Sequence, residues 1–227
     1  MATKELKIDF VSDVTCPWCA VGLGGLEQAL GQLQDEVTAD IRFQPFELNP
    51  DMPAEGQDAI EHLSGKYGTT AEQQRDIRQA ICERGAQVGF EFNPEGRGRI
   101  WNTFDAHRLL YFAETEADTT QQTALKKALL AACHTQSEAM GDHQVLTRCA
   151  VSVGLDAERV KAVLASDEYA VQVRERQRFY ASHGISSVPA IIINDKHLIS
   201  GGQPTEIYVQ ALRKIAEEVP QNSTEHS

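Results

Sequence analysis

No stretch of the chain approaches the length of a membrane-spanning helix, so no transmembrane segment is expected. Internal repeats and low-complexity segments are absent as well. Basic charge is in short supply: 21 Lys and Arg stand against 33 Asp and Glu, giving a net charge of −12. That balance argues against nucleic acid or an anionic membrane surface as a partner. The opening Met1-Ala2-Thr3-Lys4-Glu5-Leu6-Lys7 carries charges where a secretory signal would need an apolar core. A cytoplasmic location, where thiols are kept reduced, is therefore the expectation. Cysteines number only five, an odd count, and their spread is not that of a disulfide framework. What remains is ordinary globular composition: 227 residues, 41% hydrophobic and 24% charged, fit one large domain or a domain carrying a substantial insertion.

Against that background one stretch stands out, Cys16-Pro17-Trp18-Cys19. Before it, Leu6 to Val11 alternates and ends in β-formers, as a strand does. After it, Val21, Leu23, Leu26, Leu30 and Leu33 recur at helical spacing, which puts Cys16 at a strand-to-helix junction. A helix N-terminus has unpaired N–H donors and partial positive charge, so a cysteine there has its thiolate stabilised. Thr15 is the predicted N-cap, and Pro17 is allowed in the first turn. Cys16 is then the attacking sulfur and Cys19, one turn inside, the resolving one. No basic residue lies within the motif, so helix and backbone are expected to do most of the tuning. The rival readings are a structural zinc site, which ordinarily needs a second ligand pair that is missing here, and a chance pair of structural cysteines. Buried, inert thiols are the expectation for Cys82, Cys133 and Cys149. A Cys133–Cys149 redox pair, or Cys133, His134 and His143 as metal ligands, has no diagnostic spacing.

Along the chain, Ala39 to Phe46 alternates again, predicting a second strand parallel to the first across a βαβ connection. From about residue 58 the pattern becomes helical and no strand is expected before residue 184. A short helix spans 59–67. A capping box at Thr70 to Gln73 opens another, with Ile77, Ala80, Ile81 and Val88 on its apolar side. Further helices are predicted from Asn102, around Leu125 to Ala132, over 142–153 and 156–165, and over about 167–182. Ala190 to Ile193 is a continuous apolar run, as in a buried strand, and His197 to Ser200 pairs back on it. A last helix carries Val209, Leu212, Ile215 and Ala216 on one face, and 220–227 reads as a disordered tail. The second chemical feature is Val188-Pro189, directly before the Ala190 strand. Proline tolerates the first position of a strand, and by base rate its bond is trans. Set opposite a CxxC motif, a cis bond leaving the Val188 backbone free for an extended peptide becomes the expectation.

These residues together resemble a known family. Cys16-Pro17-Trp18-Cys19 after a strand, an all-helical insertion, and Gly184-Ile185-Ser186-Ser187-Val188-Pro189 before a hairpin are similar to the DsbA family of thioredoxin-fold proteins. Phe46 to Pro50, Asn102 to Leu109, Val188 to Asn194 and Ile199 to Gln203 resemble its FrnE-like branch. The resemblance implies an α/β thioredoxin fold, a mixed four-stranded sheet from residues 1–50 and 184–219, with an all-helical domain inserted over 51–183. It implies thiol–disulfide exchange with Cys16 as nucleophile, Cys19 as resolving cysteine and Pro189 cis against the disulfide. Val188 and Trp18 are then substrate contacts, Pro17 is a tuning residue, and no cofactor or metal is bound. The partners implied are disulfide- or dithiol-containing substrates, with glutathione or the thioredoxin system as external thiol.

Periplasmic DsbA has a histidine before its second cysteine where this chain has Trp18, so reductase or isomerase use is expected over strong oxidation. Two alternatives stay open. One is a glutathione-dependent isomerase or transferase of the kappa-class-like branch, with Asn102, Thr103 and His107 along the cleft; that branch uses serine where Cys16 stands. The other is a chaperone-like module that holds peptides on the helical insertion. Asn102 and His107 could equally be a helix cap and a satisfied helical histidine, and Asp13 reads as a solvated turn residue.

Overall fold

The computed structural model describes residues 3–219; the predicted tail at 220–227 lies outside the described residues. The chain opens with β1 (Lys4–Ser12), α1 (Pro17–Gln32) and β2 (Val37–Pro45). It closes with β5 (Ala190–Ile193), β6 (His197–Ser200) and α9 (Thr205–Glu218). These strands form one mixed sheet in the order β2-β1-β5-β6. β1 and β2 run parallel, with Ile8 opposite Ile41 and Phe10 opposite Phe43. β5 runs antiparallel to both β1 and β6. β1 is thus interior to the sheet, and Leu6, Ile8, Phe10 and Val11 expose no surface. Burying each such side chain contributes about 1.5–3 kcal/mol, which makes β1 the strand around which the core condenses.

Between β2 and β5 lie α2 (Ala59–Tyr67), α3 (Ala71–Gln87), α4 (Phe104–Glu116), α5 (Thr119–His134), α6 (His143–Ser152), α7 (Ala157–Leu164) and α8 (Ala170–Ser182). This stretch is not wholly without strand: β3 (Gln57–Asp58) and β4 (Arg99–Ile100) pair antiparallel across it. Two-residue strands are too short to show alternation, so nothing in the sequence pattern marks them. The capping box forms as read, with Thr70 Oγ1 accepting from Gln73 N and Gln73 Oε1 from Thr70 N. The expected apolar side of α3 is only partly used, however, since Ile77 and Ala80 remain exposed while Val88 is buried at the C-cap.

Among the described residues two smaller hydrophobic clusters accompany two large ones. The first large cluster joins the sheet to α1 and α9 and takes in Val88, Phe92 and Leu130 from the intervening segment. The second is built by α4, α5, α6 and α7. Val14, from the loop after β1, belongs to the second cluster although Phe10 and Cys16 on either side of it belong to the first. The β1–α1 loop therefore lies at the seam between the two large clusters.

Candidate active site

Cys16 and Cys19 sit at that seam. Pro17 is the first residue of α1, and Cys16 is the N-cap, with extended backbone at φ −87° and ψ 112°. The predicted cap, Thr15, is one residue too early. Pro17 fixes the start of the helix and biases its predecessor to extended backbone, so Cys16 takes the flanking position. Thr15 Oγ1 instead accepts from Arg97 Nη1 at 2.8 Å. The helix start is nonetheless as donor-rich as expected, because no side chain caps it and no acid lies in its first turn.

The two thiols are reduced, both are buried, and their acidities diverge. The Cys16 thiol is lowered from the ordinary cysteine range, foremost by a hydrogen bond from the Cys19 thiol. Burial opposes this; the backbone N–H groups of Cys19 and Trp18 assist, and the charge of Asp13 opposes. Cys19 is pushed well up, first by burial and then by its bond and charge interaction with Cys16. One sulfur is thus prepared to carry charge and the other to hold a proton.

Opposite the motif, the Val188–Pro189 bond is cis, and the Cys16 thiol donates to Val188 O at 3.6 Å. Pro189 is buried and Val188 half-buried. Gly22, on the next turn of α1, leaves room for this loop. A Cβ there would lie 3.1 Å from Pro189 Cγ and 3.4 Å from Tyr208 Oη. Trp18 is 36% exposed beside the thiols, the one member of the motif turned to solvent.

A polar cluster beneath the motif was not expected. Asp13 is not a solvated turn residue: it is fully buried. Its Oδ1 accepts from Thr15 N at 3.2 Å and its Oδ2 from Leu48 N at 2.7 Å, which ties the CxxC loop to the Phe46–Pro50 segment. His107, buried on α4, brings Nε2 to 3.5 Å from Asp13 Oδ1. Burial raises the Asp13 carboxyl, but His107 and these two backbone donors outweigh it and leave the group below the usual carboxylate range. Arg97 Nη1 reaches Thr15 O as well as Thr15 Oγ1, and lies 3.6 Å from Cys133 Sγ. His134 Nε2 donates to Val14 O at 3.0 Å. Burial, then Arg97, hold its imidazole well below the ordinary histidine range, so it is neutral. Lys126, on α5, is also fully buried.

Helix and backbone were expected to do most of the tuning; to them the helical segment adds Lys126, whose charge favours ionisation of Cys19. For Lys126 a signal existed, since it falls among Leu125, Leu129 and Leu130 on the buried arc of its helix. The other weighed arrangements do not assemble. Cys133 faces Arg97, whereas Cys149 Sγ faces Ala128 O. His143 bonds Asp105 and His134 bonds Val14, apart from any shared centre with Cys133. Cys82 is half-buried rather than buried, lining a small hollow with Phe90 and Phe92. Asn102 is not the cap of α4, a position that Thr103 takes; it lies one residue before it, accepting from Phe104 N and donating to Met52 O, both at 2.9 Å. Thr103 is buried.

Comparison with known proteins adds the family. The description "DSBA-like thioredoxin domain" matches residues 7–213. The probable DsbA oxidoreductase SCO1869 from Streptomyces coelicolor is 31% identical and superimposes with a TM-score of 0.84, over 98% of this chain and 94% of that one. The Bacillus subtilis protein YwbO, uncharacterised, is 26% identical over 92% of this chain and 96% of its own length. The cytosolic disulfide reductase DsbM from Pseudomonas aeruginosa, solved with GSH, shares the fold at 15% identity and a TM-score of 0.63, over 93% of this chain and 99% of that one. The four-stranded mixed sheet with helices between its halves is accordingly a thioredoxin-like α/β fold, its neighbours are named as oxidoreductases, disulfide reductases and an isomerase, and the chain belongs to the DSBA-like thioredoxin domain family.

Proposed function

We propose that the protein is a thiol–disulfide oxidoreductase that works through Cys16 and Cys19. The observation that carries this reading is the lowered Cys16 thiol at the start of α1, facing Val188 O beside cis Pro189, with a protonated Cys19 one turn behind it. The Cys16 thiolate attacks one sulfur of a substrate disulfide, and the other substrate sulfur leaves as a thiolate that takes a proton. Cys19 then loses its proton and attacks Cys16 Sγ, releasing the second substrate thiol and closing the Cys16–Cys19 disulfide. An external thiol, glutathione or thioredoxin, supplies two electrons to restore the dithiol. Run in reverse, the same steps oxidise dithiols. Trp18 and Val188 border the reacting sulfur and are the side chains offered to substrate, with Pro17 and Pro189 holding the two backbone segments.

Among the described residues no helix is long and apolar enough to cross a membrane. A cytoplasmic setting, with reductase or isomerase use, agrees with the absence of a cation between the two cysteines, and the FrnE-like branch is the subgroup whose motifs the chain carries. The inserted helices over 51–183 are read as a separate structural unit on the 1–50 and 184–219 framework.

The test is the equilibrium of the Cys16–Cys19 pair in glutathione redox buffers, with insulin reduction followed alongside. A single two-electron transition with turnover is expected. Cys16→Ser should abolish turnover, and Cys19→Ser should accumulate a mixed disulfide on Cys16. If wild-type protein forms no disulfide and leaves insulin untouched, the proposal fails.

A further inference from the structure

Lys126 presents an unusual arrangement. It exposes no surface, and its Nζ has no hydrogen-bond partner among the described residues. An ammonium in that position is unfavourable unless neighbouring charge compensates for lost hydration. The position is also enforced. One turn earlier on α5, Gln122 bonds both the N–H and the carbonyl of Phe43, at 2.9 and 3.2 Å. Two turns later, Cys133 rests against Arg97, which holds Thr15. Between these anchors the ammonium lies 5.8 Å from the Phe43 ring centroid and is held inside the protein.

Leu130, one turn further along α5, packs in the same apolar cluster as Cys16 and Cys19, and the charges acting on Lys126 come from several elements. Asp13 comes from the loop after β1, Cys16 from the N-cap of α1, Cys19 from α1, and Cys133 and His134 from α5 itself. β2 presents the uncharged Phe43, while His107 on α4 is directed at Asp13. Burial draws the Lys126 ammonium down from the ordinary lysine range, and among opposing influences Cys19 comes first, ahead of Asp13 and Cys16. Reciprocally, Lys126 is the charge that favours ionisation of Cys19 against its burial.

We propose that Lys126 is the counter-charge of the Cys16–Cys19 pair, an ammonium supplied by a helix outside the sheet framework that stabilises negative charge on either sulfur. The proposal rests on the thiol–disulfide reading above. Two-electron reduction of the disulfide leaves charge on sulfur that Lys126 faces, so the residue raises the reduction potential. It also lets Cys19 give up its proton when it attacks the mixed disulfide. By linkage, Lys126 binds its own proton more tightly in the dithiol than in the disulfide form.

The test replaces Lys126 by methionine, similar in length and without charge, in a Cys82→Ser background that silences the half-buried thiol. Because Lys126 Nζ makes no hydrogen bond, the substitution breaks none and removes the cost of a buried ammonium. Ellman's reagent places a thionitrobenzoate on Cys16, and attack by Cys19 releases a second thionitrobenzoate whose appearance times the resolving step. In K126M that step is expected to slow about tenfold at pH 7 and its pH profile to move upward, one pKa unit being a factor of ten in thiolate. The equilibrium with glutathione should shift toward the disulfide. Lys127→Met on the adjacent surface position, where the lysine pairs with Glu27, should change neither. Should K126M fail to fold, carbon-13 titration of the Lys126 Cε in wild-type protein decides: a higher pKa in the dithiol form supports the proposal, and equal values in both redox forms overturn it. A wild type that releases no second thionitrobenzoate refutes the redox reading itself. A wild type that cycles beside a K126M of unchanged potential and pH profile overturns only the role of Lys126.

Discussion

Gly22 and Gly31 occupy the same helix, yet a methyl group should have opposite effects at the two positions. At Gly22 the added Cβ meets Pro189 Cγ, in the loop that faces Cys16, at 3.1 Å, and also Tyr208 Oη of α9 at 3.4 Å and the Gly202 Cα before α9 at 3.5 Å. Gly22→Ala is expected to destabilise by about 1–3 kcal/mol, as overpacking does, and to lower turnover by displacing the Val188–Pro189 segment. At Gly31 nothing lies within 4 Å. Gly31→Ala should therefore stabilise by up to about 1 kcal/mol through helix propensity alone, with turnover unchanged. Urea unfolding and insulin reduction on the two variants check both halves. Loss of activity in Gly31→Ala, or full stability in Gly22→Ala, would contradict this account. Residue by residue, the positions that local pattern governs were legible: Cys16 and Cys19 at the start of a helix after a strand, and Pro189 directly before β5. The sequence did not disclose Asp13, Arg97, His107 or His134 as a cluster, because those four converge from the β1–α1 loop, the segment before β4, α4 and α5. Only tertiary packing brings them together.

Elements were legible in proportion to their length and regularity. The helices with a sustained apolar arc, such as α5 and α9, fall where the periodicity places them, whereas β3 and β4 leave no pattern to read. Less visible still was how α5 is joined to the sheet. β2 is an edge strand, and an open edge invites pairing with another chain. Gln122 covers it: its amide accepts from Phe43 N and donates to Phe43 O and to Leu110 O, so one side chain serves in place of a strand. Gln122→Leu keeps the volume and removes both functions, leaving a buried N–H and carbonyl unpaired. Its expected cost is about 1–3 kcal/mol. Amide exchange at Phe43 should quicken while exchange within β5 keeps pace only with the global loss of stability. Unchanged protection at Phe43 would mean that the edge is held by something other than Gln122.

At the scale of the whole molecule, two apolar cores meet along a polar seam that runs from Asp13 through Val14 and Thr15 to Cys16, and that seam gives stability a pH dependence. His134 is neutral in the folded protein because burial, and then Arg97, hold its imidazole well below its ordinary value. In the unfolded chain it titrates near 6.5. Above that pH both states hold the neutral ring and its contribution is fully present. Below it the unfolded chain binds a proton that the folded chain refuses, so stability falls with pH until the folded value is reached. Asp13 acts in the same sense lower down. Its depressed carboxyl contributes above the ordinary aspartate value of 3.8 and loses that contribution as pH drops through its folded value. Unfolding free energy measured by urea titration between pH 7 and pH 5 should therefore decline, with His134 supplying up to about 1.4 kcal/mol per pH unit once well below 6.5. His134→Gln isolates that contribution, since a Gln amide can donate to Val14 O in place of Nε2 but cannot titrate. The variant should lose the slope across this window by the amount the histidine supplies. Equal slopes in the two proteins would show that His134 is charged in the folded state and that the seam accommodates a cation there.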